Sequence, residues 1–165
     1  SFSVYGATLV LLYFFSSCYH GLNGRVKKIF RYFDHSAIFL LIAGTYTPFT
    51  LVTLRGAWGW SIFGAIWGLA VIGIILDSFY HHGRRFLPIT VYILMGWLIL
   101  FALGPLLRAL PVPGFIWLLA GGIFYTGGLA FYALDKKLWH AHGVWHLFVL
   151  GGSVCHYVTV LVYVA

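Results

Sequence analysis

Charge is what this chain has least of. Only 8% of its 165 residues are charged, and just three are acidic: Asp34, Asp77 and Asp135. A soluble domain carries roughly a quarter of its residues as Asp, Glu, Lys or Arg, so a surface solvated by water is excluded. Cysteine is scarce too. Cys18 and Cys155 both fall inside apolar runs, which argues against a secreted disulfide framework and leaves buried free thiols as the plain reading. The apolar–polar alternation of a transmembrane barrel is missing. So are long linkers, low-complexity tracts and internal repeats, and the lack of a repeat speaks against an inverted-repeat transporter. Residues 1–165 are expected to form a single integral membrane domain.

What the chain has in abundance is apolar length. It is 62% hydrophobic, with a mean hydropathy of +0.96. A helix needs about 20 predominantly apolar residues to cross the hydrocarbon of a bilayer. Six runs meet that length, over 2–20, 35–54, 58–78, 86–107, 114–134 and 142–164. The expected fold is an all-α, polytopic transmembrane helical bundle of six spans. The first run is read as a true span, because it is too aromatic and ends too basic for a cleaved signal peptide. Gly21, Asn23 and Gly24 mark the turn of the longest connection, Gly21 to Phe33. Pro88 opens the fourth helix, and Pro105, Pro111 and Pro113 bracket the turn after it. Gly64 and Gly68, and the set Gly121, Gly122, Gly127 and Gly128, read as close-packing surfaces. The aromatic residues, 20% of the chain, read as lipid-facing surface and interfacial belts.

The net charge of +7 is distributed by loop. Arg25, Lys27, Lys28 and Arg31 precede the second run, Arg84 and Arg85 follow the third, and Lys136 and Lys137 follow the fifth. The opposite connections hold only Arg55 and Arg108. Basic residues mark the cytoplasmic loops of membrane proteins, so the richer side is expected to face the cytoplasm, in a plasma membrane or a bacterial inner membrane. That face would also attract anionic headgroups. Nucleic acid is not expected as a partner, since these residues sit in short loops and form no groove or known module.

This topology brings three histidines to the cytoplasmic ends of separate runs. His20 closes the first, and His142 and His146 open the last. Ser16 and His20 are four apart, as are His142 and His146, so each pair stacks on one helix face. Two histidines at that spacing can grip one divalent ion, and a third from another helix completes a three-ligand site with a position left for water. Imidazole nitrogens suit zinc, though they also accept iron, copper or nickel. A lone histidine at a helix end is more often a cap or interface residue. Asp34 alone would be an N-cap of the second helix, and Ser16 alone would bond back to its own helix. What favours a metal is their convergence at one depth, and residue chemistry leaves both readings open. His35 and His140 adjoin this cluster but point differently. His156 is about 21 Å along the last helix from His142, too far to share an ion, and reads as a buried hydrogen-bonding group. His81 and His82 read as a solvated turn. Asp77 is expected to pair with Arg84 or Arg85, and Asp135 with Lys136 or a headgroup.

Three spaced segments, taken in order, resemble the progestin and adiponectin receptor family and most closely its hemolysin III branch. They are Ser16-x3-His20, Asp34 within the stretch from Asp34 to Phe49, and His142-x3-His146 followed by the stretch to His156. The resemblance covers essentially the whole chain. It implies zinc (Zn2+) held by His20, His142 and His146, with Asp34 holding or activating the water on that ion and Ser16 beside it. It also implies seven spans, of which the six runs here correspond to the second through the seventh.

A three-histidine zinc would lower the pKa of bound water toward about 7 and polarise a carbonyl, and Asp34 could accept the proton. The expected substrate is a membrane lipid amide or ester reached from the leaflet. The receptor branch of the family is linked to ceramide hydrolysis, so a sphingolipid or other fatty-acyl lipid is the class implied. A second reading is a non-enzymatic receptor or regulator of membrane lipid homeostasis with structural zinc. A third is a pore-forming cytolysin, disfavoured because the helices carry no continuous polar stripe.

Overall fold

The computed structural model describes residues 1–79, 86–135 and 137–165, and the side chains of Phe86 and Leu87 are not described. His81, His82, Arg84, Arg85 and Lys136 therefore lie outside the described residues. The described residues form an all-helical fold. Among them, six helices are long and apolar enough to cross a membrane: Phe2–Gly21, Gly24–Leu54, Gly56–Phe79, Pro88–Ala109, Val112–Leu134 and Ala141–Val164. The protein is thus an integral membrane protein by the length and composition of its helices. The chain divides into two compact units, Ser1–Met95 and Gly96–Ala165.

The first unit holds α1 (Phe2–Gly21), α2 (Gly24–Pro48), α3 (Gly56–Phe79) and nearly all of α4 (Phe86–Gly96). Its main departure from expectation is at the start of α2. The connection from α1 is only Leu22 and Asn23, and the helix begins at Gly24, not near residue 35. Asn23 is extended and Gly24 takes φ +68°, a left-handed turn that glycine adopts without a Cβ clash. Beyond it, Val26, Ile29, Phe30 and Phe33 recur at the i, i+3, i+4, i+7 spacing of an amphipathic helix, with Arg25, Lys27, Lys28 and Arg31 on the other side. Hydropathy alone counts such a segment as a loop, whereas its periodicity is helical. Its stripe packs in part on α1, where Phe15 stacks on Phe33 with ring centroids 5.1 Å apart.

Asp34 is consequently the eleventh residue of α2 and cannot be its N-cap; that place belongs to Asn23.

Further along, α2 is the best-buried span. Pro48 withdraws one backbone donor, and the helix passes into a π-helical segment, Phe49–Leu54. Threonines in this stretch turn inward and bond their own helix: Thr45 to the Leu41 carbonyl, Thr47 to that of Ala43 and Thr50 to that of Tyr46. A Cβ on Gly44 would fall on the Thr8 hydroxyl, so α1 and α2 meet there backbone to side chain. The Tyr46 hydroxyl donates to the Met95 carbonyl at 2.9 Å, and Phe39 lies against Tyr92 with centroids 4.6 Å apart. Gly64 and Gly68, expected to be a packing surface, face open space within this unit.

The second unit holds a 3-10 turn (Leu98–Ala102), α5 (Leu103–Ala109), α6 (Val112–Leu134) and α7 (Ala141–Thr159), the last running into a π-helical end, Val160–Val164. Pro105, expected with Pro111 and Pro113 to bracket the turn, is the third residue of α5. It follows the 3-10 turn, in a first turn where its missing N–H removes no helical bond. Pro111 is the N-cap of α6 and Pro113 its second residue. Glycines bring α6 and α7 together: a Cβ on Gly128 would meet Trp145 and Phe148, and one on Gly152 would meet Tyr125. Tyr125 and Ser153 share a hydrogen bond of 2.8 Å across the same contact.

Candidate metal centre

The start of α7 is shaped by its turn. Six residues, 135–140, connect α6 to α7, and backbone N–H groups of Lys137 and Leu138 both donate to the Leu134 carbonyl. His140 then takes the left-handed conformation, φ 63°, and its carbonyl accepts from Val144 N–H as α7 begins. His142 and His146 follow on successive turns of one face. Their Nε2 atoms lie 3.2 Å apart, and the rings are nearly perpendicular at 89°. His20 lies in the last turn of α1, with its ring 4.8 Å from that of Tyr19.

His20, His142 and His146 form a group that could hold a metal ion: one ring nitrogen from each lies within 4.8 Å of the others. His20 is exposed, and the other two are half-buried. Three imidazoles are a donor set that zinc and other first-row transition metals accept. The Nε2 atoms of His142 and His146 are 3.2 Å apart, close to the roughly 3.3 Å between two nitrogens on one tetrahedral ion, while the group as a whole spans up to 4.8 Å.

Ser16 lies one turn before His20 on α1 and is half-buried, while Asp34 is half-buried within α2. Neither belongs to the three-histidine group. His35 is drawn elsewhere, with its Nδ1 3.8 Å from Asp77 Oδ2, and its carbonyl accepts from the Tyr92 hydroxyl. Asp77 thus has a histidine beside it, while Arg84 and Arg85, its expected partners, lie outside the described residues. His156 is a half-buried hydrogen-bonding residue, its Nε2 3.1 Å from the Leu118 carbonyl.

Sequence reasoning missed Asp135. Its Oδ2 lies 3.5 Å from His142 Nδ1, with the side chain only 10% exposed, while Lys136, its expected partner, lies outside the described residues. The available signal was an aspartate seven residues before a histidine, across a turn joining two helices. That spacing means little until the turn is known to fold back.

Comparison with known proteins is consistent with this picture. The family described as Haemolysin-III related matches residues 1–157. The chain is 51% identical to Hemolysin-3 of Bacillus cereus over 99% of its own length and 75% of that protein's. It is 42% identical to the Hemolysin-3 homolog of Bacillus subtilis (strain 168), over 99% of its length and 76% of the relative's. It is 27% identical to the human monocyte to macrophage differentiation factor, over 97% and 68% respectively. No solved structure matches. A family match over nearly the whole chain and close identity to the two Bacillus proteins agree: the protein belongs to the Haemolysin-III related family, within the progestin and adiponectin receptors.

Proposed function

We infer that this membrane protein binds one zinc ion through His20, His142 and His146 at its cytoplasmic side and hydrolyses an amide or ester bond of a membrane lipid. The observation that carries this reading is the number and kind of donors: three imidazole nitrogens within 4.8 Å. Structural zinc sites fill four protein positions, whereas catalytic ones use three and leave the fourth to water or substrate. Bound there, zinc would supply Lewis acidity toward a carbonyl and lower the pKa of water.

The chain's own residues take the remaining roles. Asp34 accepts a proton from the attacking water. Its half-buried place inside α2 supports this role, because ionisable groups within spans are costly and usually mark a function. Ser16 donates a hydrogen bond to the developing oxyanion. The apolar surface of the spans suits a fatty-acyl substrate that arrives through the leaflet, and a sphingolipid amide is the class suggested by the family.

The test is metal analysis of the detergent-purified protein, followed by a product assay on a panel of lipid amides and esters in mixed micelles. Zinc at about one per chain together with released fatty acid supports the reading. Zinc without any released product would make the site structural and the protein a regulator of membrane state. Absence of metal from folded protein would remove the site itself.

A further inference from the structure

The connection between α6 and α7 does more than reverse the chain. Asp135 is the first residue beyond α6, and the bonds from Lys137 and Leu138 N–H to the Leu134 carbonyl wind the following residues over that end. The left-handed His140 then redirects the backbone into α7. The product of these local events is a carboxylate, nine-tenths buried, facing one particular nitrogen of His142. That nitrogen is Nδ1, 3.5 Å from Asp135 Oδ2, while Nε2 of the same ring faces Nε2 of His146 at 3.2 Å.

An imidazole has two nitrogens and, when neutral, one proton. A carboxylate beside Nδ1 keeps the proton there and leaves the Nε2 lone pair available. It also fixes the plane of the ring and raises the basicity of the distal nitrogen. A histidine held only by its own rotamer samples both tautomers and has to be ordered when a metal binds.

We propose that Asp135 is a positioning residue for the metal centre, holding His142 in the Nδ1–H tautomer so that its Nε2 is presented to the ion. The proposal rests on the reading of His20, His142 and His146 as metal ligands and deepens it. It also gives a physical reason for burying a charge at the end of α6, where the helix dipole disfavours an anion. Another acid–histidine pair, His35 with Asp77, lies in the first unit and outside the histidine group, so it provides an internal control.

The experiment is zinc titration of full-length, detergent-purified, metal-stripped protein against a chromophoric chelator of known affinity, with thermal unfolding of each metal-free variant alongside. Asp135→Ala is expected to weaken zinc binding about 10- to 100-fold. Asp135→Asn, which keeps an acceptor but loses the charge, should fall between it and the parent, and Asp77→Asn should match the parent. Unchanged unfolding of the metal-free forms would separate positioning from general support of the fold. If Asp135→Ala does not fold, Asp135→Asn carries the test, with weakened binding still expected. Parent-like affinity in a folded Asp135 variant overturns the proposal while leaving the metal site standing. A parent that binds no zinc overturns both, so the two failures are distinguishable.

Discussion

His142 and His146 approach each other Nε2 to Nε2 at 3.2 Å, with their ring planes at 89°. Two lone pairs at that distance repel unless a proton or a cation lies between them. If the cation reading holds, the parent protein carries about one zinc per chain, and the double substitution His142→Ala, His146→Ala carries none, as read by mass spectrometry of the purified protein.

Zinc bound only to the folded state also stabilises it by mass action. A strong chelator is therefore expected to lower the unfolding temperature of the parent in detergent, and added zinc to restore it. At free zinc 100 times the dissociation constant the gain is about 2.7 kcal/mol. The double-alanine variant should show no response to either treatment.

Asp34→Asn separates chemistry from binding. The substitution is close to isosteric and lies outside the histidine group, so zinc content is expected to stay at the parent level. Product release from a lipid amide should fall by about 10²- to 10⁴-fold, the usual contribution of a positioned general base. Equal turnover in parent and variant would remove Asp34 from the mechanism.

The glycines of the first unit make opposite predictions. Gly44 has the Thr8 hydroxyl where a Cβ would go, whereas Gly64 has open space. Gly44→Ile should destabilise the protein by about 1–3 kcal/mol through overpacking. Gly64→Ile, facing open space, should stay within about 0.5 kcal/mol of the parent. Thermal unfolding in detergent compares the two directly.

Orientation can be read chemically. In a background lacking Cys18 and Cys155, a membrane-impermeant thiol reagent applied from outside should label Ala57→Cys and spare Asn23→Cys. Labelling of Asn23→Cys from outside, with the membrane intact, would contradict the cytoplasmic placement of the basic turn.

Most of the architecture was legible because hydrocarbon is a simple solvent: where water is excluded, about 20 apolar residues in a row must be helical. The three histidines could be grouped for the same reason, since topology assigns the ends of spans to sides. What hydropathy misjudged were segments in which charge and periodicity disagree. Arg25 to Phe33 is rich in charge yet helical, and this turned Asp34 from an apparent cap into a residue well inside α2. The approach of Asp135 to His142 was hidden for another reason. It depends on a chain reversal that includes a left-handed residue at His140, a conformation that histidine rarely advertises. Gly64 and Gly68 show the limit of small-residue motifs, since spacing says where backbones can approach and not whether a partner comes.

The early start of α2 has a consequence for how the protein sits in a bilayer. The helix runs unbroken from Gly24 to Leu54, 31 residues, or roughly 46 Å at 1.5 Å per residue. The hydrocarbon it crosses is about 30 Å thick, so the rod outreaches the oil by several turns. The surplus carries Arg25, Lys27, Lys28 and Arg31 on one side and Val26, Ile29 and Phe33 on the other. Such a segment suits the waterline of a bilayer, its cationic side at the headgroups and its apolar side toward the acyl chains.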